Sequence, residues 1–87
     1  MELSASAGDN SGEVDLVWDP VRGADGYEIE TSLGITPDDE WSQAAATAQS
    51  RVTLQHLTSR LRYWFRVRAV SESSTGDWSD PVTKFAP

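Results

Sequence analysis

Residues 63–70 read Tyr63-Trp64-Phe65-Arg66-Val67-Arg68-Ala69-Val70, and this stretch decides the fold. It alternates strictly: Tyr63, Phe65, Val67 and Ala69 fall on one side, Trp64, Arg66, Arg68 and Val70 on the other. A period of two means a strand with one buried face. Arginine at every second position cannot point into a core, so the apolar set forms the inner face. A strand buried on one side needs a second layer against it, and the rest of the chain must supply that layer.

It does so in short alternating segments separated by turn residues. Residues 2–7 alternate weakly and read as an edge strand, and Gly8-Asp9-Asn10-Ser11-Gly12 is a turn by composition. Glu13–Asp19 turns Val14, Leu16 and Trp18 inward and is stopped by Pro20, which has no N–H to donate. Gly26–Ser32 places Tyr27 and Ile29 inward, with Glu28 and Glu30 outward. Leu33–Glu40 reads as a loop, Trp41–Ala46 as a short strand, and Arg51–Leu57 as a strand with Val52 and Leu54 inward. Ser71–Asp77 is a polar hairpin loop, and Trp78–Phe85 is the last strand, with Pro81 at a bulge or an unpaired edge position. Seven short strands with turns between them predict an all-β fold, a two-sheet antiparallel sandwich.

The chain has 87 residues, enough for one small domain, 1–87. It has no cysteine, so no disulfide staples it and no thiolate binds metal or acts as a nucleophile. Four Trp, two Tyr and two Phe must carry the packing instead. A net charge of −7 argues against nucleic acid and anionic lipid as partners and favours solubility; a monomer is expected. The charge is uneven: Arg51, Arg60, Arg62, Arg66 and Arg68 are five of the seven basic residues. No apolar run reaches membrane-spanning length, so no membrane insertion is expected. No secretory h-region follows Met1, and Met1-Glu2 reads as an added start to a piece of a larger protein.

Five elements then occur in a telling order. They are Trp18-Asp19-Pro20, Gly26-Tyr27-Glu28-Ile29, Leu57 with Tyr63 six residues on, Phe65-Arg66-Val67-Arg68-Ala69, and Trp78-Ser79-Asp80-Pro81-Val82. Together they resemble a fibronectin type III domain over nearly the whole chain, and the phrase from Trp18 to Tyr27 is similar to bacterial members. The resemblance implies a seven-stranded, immunoglobulin-like antiparallel sandwich with a core of Trp18, Tyr27, Ile29, Leu57, Tyr63, Phe65 and Val67. It also implies a tyrosine corner, in which the Tyr63 hydroxyl meets the backbone near Leu57. An immunoglobulin domain proper is set aside. There the buried Trp lies on the third strand against a disulfide, whereas here Trp18 lies on the second and Phe65 stands where the cysteine would. The chain departs from the family at the corner turn: Ser59-Arg60-Leu61 replaces the usual Pro-Gly-Thr, which fits a contact surface, an engineered change or drift.

Nothing in the sequence announces catalysis. His56 is the only histidine, and there is no nucleophile elbow, phosphate loop or metal-ligand spacing, so no enzyme, cofactor or metal is expected. Asp38-Asp39-Glu40 lacks the spaced ligands of a calcium loop and reads as a solvated acidic loop. Thr75-Gly76-Asp77 lacks the arginine of an integrin-binding tripeptide, and Arg22-Gly23-Ala24-Asp25 carries an inserted alanine. Asp19–Asp25, Ala44–Ser50 and Ser71–Asp77 contain no aromatic residue, which makes them connectors rather than paratope loops.

The outward row is the candidate site. Trp64, Arg66 and Arg68, with Trp41 and Trp78, form either a stabilising arginine–tryptophan surface or an aromatic platform for a protein or glycan. Exposed ion pairs are weak, which favours stabilisation. The first expectation is therefore a spacer or adhesion module of a secreted or surface protein, whose partners are neighbouring domains of a parent chain. The alternatives are a protein- or carbohydrate-binding module around Trp64 and an engineered binding scaffold.

Overall fold

The computed structural model describes residues 2–33 and 40–87. Seven strands follow in order: β1 Leu3–Ala7, β2 Val14–Trp18, β3 Gly26–Ser32, β4 Ser42–Thr47, β5 Arg51–Leu54, β6 Arg62–Val70 and β7 Val82–Phe85. They form a three-stranded sheet, β1-β2-β5, and a four-stranded sheet, β4-β3-β6-β7, with every pairing antiparallel. The fold is thus the all-β sandwich expected from the alternation.

β6 is the longest strand, and its burial follows its sequence residue by residue. Tyr63, Phe65 and Val67 are buried, while Arg62, Trp64, Arg66 and Arg68 are partly exposed. β3 runs beside it with Ile29 opposite Val67 and Tyr27 opposite Ala69. From the other sheet, Leu3, Val14, Leu16, Trp18 and Leu54 close the core. The Trp18 ring meets Tyr27 edge-on, with centroids 5.3 Å apart and planes at 63°, a favourable aromatic geometry. Leu57 is only partly buried and packs against this cluster from its rim.

Several element ends differ from the sequence expectation. β5 stops at Leu54 rather than Leu57, because His56 takes a left-handed φ of 64°, which ends a ladder. β7 begins at Val82, not Trp78; the preceding segment is held to β6 through Ser79, whose N–H donates to the Val67 carbonyl at 2.8 Å. Pro81, with no N–H, sits just ahead of the new ladder. β4 runs to Thr47, so four of the seven residues of the connector Ala44–Ser50 are strand. Asp38 and Asp39 of the acidic loop lie outside the described residues.

The turn between β5 and β6 is fixed from within. The Thr58 N–H donates to Tyr63 Oη at 2.9 Å, one residue beyond Leu57. Arg60 takes a φ of 71° at the position where the family's usual turn has glycine, and Leu61 beside it is 41% exposed. Removing the Tyr63 hydroxyl strands the Thr58 N–H in a half-buried site. Tyr63→Phe should therefore cost about 1–2 kcal/mol, lowering the melting temperature by roughly 5–15 °C. A thermal melt followed by circular dichroism checks this; an unchanged midpoint would mean that water replaces the bond at no cost.

Candidate functional site: the outer face of the four-stranded sheet

The register of β3 and β6 places Glu28 opposite Arg68 and Glu30 opposite Arg66. Directly opposed residues in an antiparallel pair have their side chains within contact distance. Arg68 Nε donates to Glu28 Oε1 at 2.7 Å, and its terminal nitrogen reaches the same oxygen at 2.6 Å. Arg66 Nε donates to Glu30 Oε1 at 2.9 Å, with its Nη2 on the same oxygen. Two guanidinium planes are thereby held in place by two carboxylates.

Aromatic rings fill the spaces beside those planes. The Arg66 guanidinium lies 4.3 Å from the ring centroids of both Trp41 and Trp78. The Arg68 guanidinium lies 4.3 Å from Trp78. At the start of β6, Arg62 stands 5.8 Å from the Trp64 ring. The sheet face thus carries a row, Trp41, Arg66, Trp78, Arg68, pinned from β3 by Glu30 and Glu28. Three chain segments meet in it: the residue before β4, the strand β6, and the segment leading into β7.

The exposure of the ionic groups sets the energetic scale. Arg66 and Glu30 side chains are 25% and 23% exposed, Arg68 and Glu28 31% and 33%. Such pairs contribute about 0.2–1 kcal/mol each, and each stacked ring adds about 0.5–1 kcal/mol. The row is a modest stabiliser that ties three segments together.

All five residues singled out from the sequence lie on or beside this face. Trp41, Arg66, Trp78 and Arg68 are brought into one stack, whereas Trp64 pairs with Arg62 at its end. Arg62 was not among them. The alternation that starts at Tyr63 extends back by one residue to Arg62, and that was the available signal. No group of three or more potential metal ligands occurs among the described residues. No helix of the described residues is long and apolar enough to cross a membrane.

The fibronectin type III domain profile matches residues 1–85. Among solved structures, an Fn3-like protein from Clostridium thermocellum superposes with a TM-score of 0.82 at 20% identity, over 94% of this chain and 84% of that one. The FN1–FN3 domains of chicken CNTN1 give 0.83 at 18% identity, over 98% of this chain and 29% of theirs. The twitchin kinase region of C. elegans gives 0.79 at 23% identity, over 90% of this chain and 14% of that one. At these identities the structural likeness speaks for the fold alone. No curated protein matches the chain.

Proposed function

Because the chain belongs to the fibronectin type III family, we propose that it is a non-enzymatic spacer or adhesion module of a larger secreted or surface protein. Its role on this reading is to hold neighbouring domains at a set distance and orientation. Similar domains occur as small parts of long chains, as in the CNTN1 and twitchin regions, which supports a module with neighbours. The observation that carries the reading is the outer sheet face: its rings stack on the chain's own arginines, and those arginines are already committed to Glu28 and Glu30. A sugar-binding platform needs an aromatic face left open to the ligand. Trp78, which contacts two guanidiniums, serves the fold instead.

The test separates stability from recognition. Trp78→Ala removes two stacking contacts and should lower stability by about 1–2 kcal/mol, read as a lower midpoint in a urea titration. Trp64→Ala should leave glycan-array and pull-down profiles the same as those of the unsubstituted protein. A glycan or protein bound by the unsubstituted chain and lost in Trp64→Ala, with an unchanged urea midpoint, would replace the spacer reading with a binding module on this face.

A further inference from the structure

The chain leaves the sandwich beside two turns, and its last residues are tied down beyond the end of the β7 ladder. Ala86 is 2% exposed. Its N–H donates to the Leu61 carbonyl at 3.0 Å, and its carbonyl accepts from the Arg60 N–H at 2.9 Å. Pro87 is exposed, yet its carbonyl oxygen receives the Gly12 N–H at 2.8 Å and the Ser59 hydroxyl at 2.7 Å. A carbonyl oxygen has two lone pairs, and these two donors fill them. The Ser11 hydroxyl braces the pair: Ser11 Oγ lies 2.6 Å from Ser59 Oγ and 3.1 Å from the Pro87 oxygen.

The departure of the corner turn from the family pattern makes this clasp available. Ser59 stands where the usual Pro-Gly-Thr has proline, which carries no hydroxyl to donate. Arg60, in its left-handed conformation, completes the turn and presents its N–H to Ala86. Both soft dihedrals of residue 87 are then fixed. The pyrrolidine ring sets φ. The clasp sets ψ, because donors on the oxygen hold the plane of whatever peptide bond Pro87 makes next. A planar trans peptide places the following Cα about 3.8 Å on, at one point. A single donor would let that plane swing about one hydrogen bond, whereas two donors from separate segments do not.

We propose that Ser59, braced by Ser11, locks the exit of the chain, so that a segment following Pro87 leaves the sandwich in one fixed direction. That direction suits a spacer. The turn after β1 meets the residue after β7 at Gly12, so both strands end at this pole and start at the opposite one. Leu3 and Pro87 therefore lie at opposite ends of the sandwich, and a neighbour attached through Pro87 is held on the far side from one attached ahead of Leu3. The inference rests on the spacer reading for its purpose, since a module with an unheld exit sets distance but not orientation. The hydrogen bonds themselves do not depend on that reading.

The test exploits a sequence without cysteine. A nitroxide is attached to a cysteine appended directly after Pro87 of the whole chain, and its mobility is read by electron paramagnetic resonance. Thr83→Cys, at an exposed position of β7, supplies the rigid reference. A cysteine beyond an appended Gly-Ser tail of about ten residues supplies the free one. The label after Pro87 should tumble several-fold more slowly than the tail label and resemble the one at Thr83. Ser59→Ala, and more fully Ser11→Ala with Ser59→Ala, should bring it towards the tail value. Ser59→Thr keeps the hydroxyl and should leave it slow. Urea midpoints establish that each variant is folded. A label after Pro87 as mobile as the tail label, in the otherwise unsubstituted chain, would overturn the lock. So would slow motion that survives the loss of both hydroxyls. Either result leaves a spacer of distance alone, whereas a ligand lost in Trp64→Ala would remove the spacer reading without moving the label.

Discussion

Trp18→Ala is expected to lower the stability of the domain by about 3–5 kcal/mol. Trp18 is 3% exposed, opposite Leu3 in β1, and its ring is the point where the three-stranded sheet meets Tyr27 of the four-stranded one. Tyr27 in turn accepts a hydrogen bond from the Val21 N–H at 2.7 Å, so the same ring also steadies the loop between β2 and β3. Removing an indole from a packed core costs about 3–5 kcal/mol, the lost transfer energy plus the cavity left behind. A domain of this size has roughly 4–13 kcal/mol in total and no disulfide to hold the layers together. Circular dichroism in a urea titration is the measurement, and the expected result is a midpoint at much lower urea. Trp18→Phe is the useful companion. The indole N–H has no hydrogen-bond partner among the described residues, so phenylalanine removes an unsatisfied donor while keeping most of the apolar bulk. It should retain most of the stability that Ala loses. An Ala variant with a wild-type midpoint would mean that the two sheets are held together by something other than this ring.

Where the sequence spoke clearly, it did so through alternation on strands with one wet face. β6 and β3 are nearly as read, and their charged outer positions fall into register because side chains one strand apart share a face. Legibility failed where a conformation is imposed by contacts distant in sequence. β5 ends early at a left-handed His56, which has no compositional mark. Arg60 takes the backbone conformation of the missing glycine, so the turn keeps its shape despite the substituted motif. Trp41 joins the stack from outside any strand, and no periodicity predicts that it should lie on Arg66. The Trp78 contact is similar: the sequence places the residue at the start of a strand, yet it precedes β7 and is positioned by Ser79 against Val67. The candidate face was thus visible as a set of residue types on alternate positions, while the partner of each ring was not.

Gly12→Ala is expected to destabilise the domain by about 3 kcal/mol, an effect invisible in a sequence where Gly12 is only the end of a polar turn. Gly12 is buried, with a φ of 79°. Its N–H donates to the Pro87 carbonyl at 2.8 Å, and its carbonyl accepts from the Leu57 N–H at 3.0 Å. The hydroxyls of Ser11 and Ser59 reach the same Pro87 oxygen at 3.1 and 2.7 Å. Three segments therefore converge on this residue: the turn between β1 and β2, the connection from β5 to β6, and the last residue of the chain. A side chain meets two penalties there. The left-handed conformation costs about 1–2 kcal/mol for an L-residue with a Cβ. The added Cβ also falls 2.6 Å from the Leu57 carbonyl oxygen, a backbone atom that no rotamer change moves away. Relief requires the two segments to part, which weakens the Leu57 and Pro87 hydrogen bonds together. Gly23→Ala isolates the first penalty, since Gly23 has a φ of 85° and nothing within 4 Å of the added carbon. It should lose only about 1 kcal/mol. Urea midpoints of the two variants, measured side by side, give the contribution of the close contact by difference. Equal losses would show that the junction yields freely and that the convergence at Pro87 does not hold the domain together.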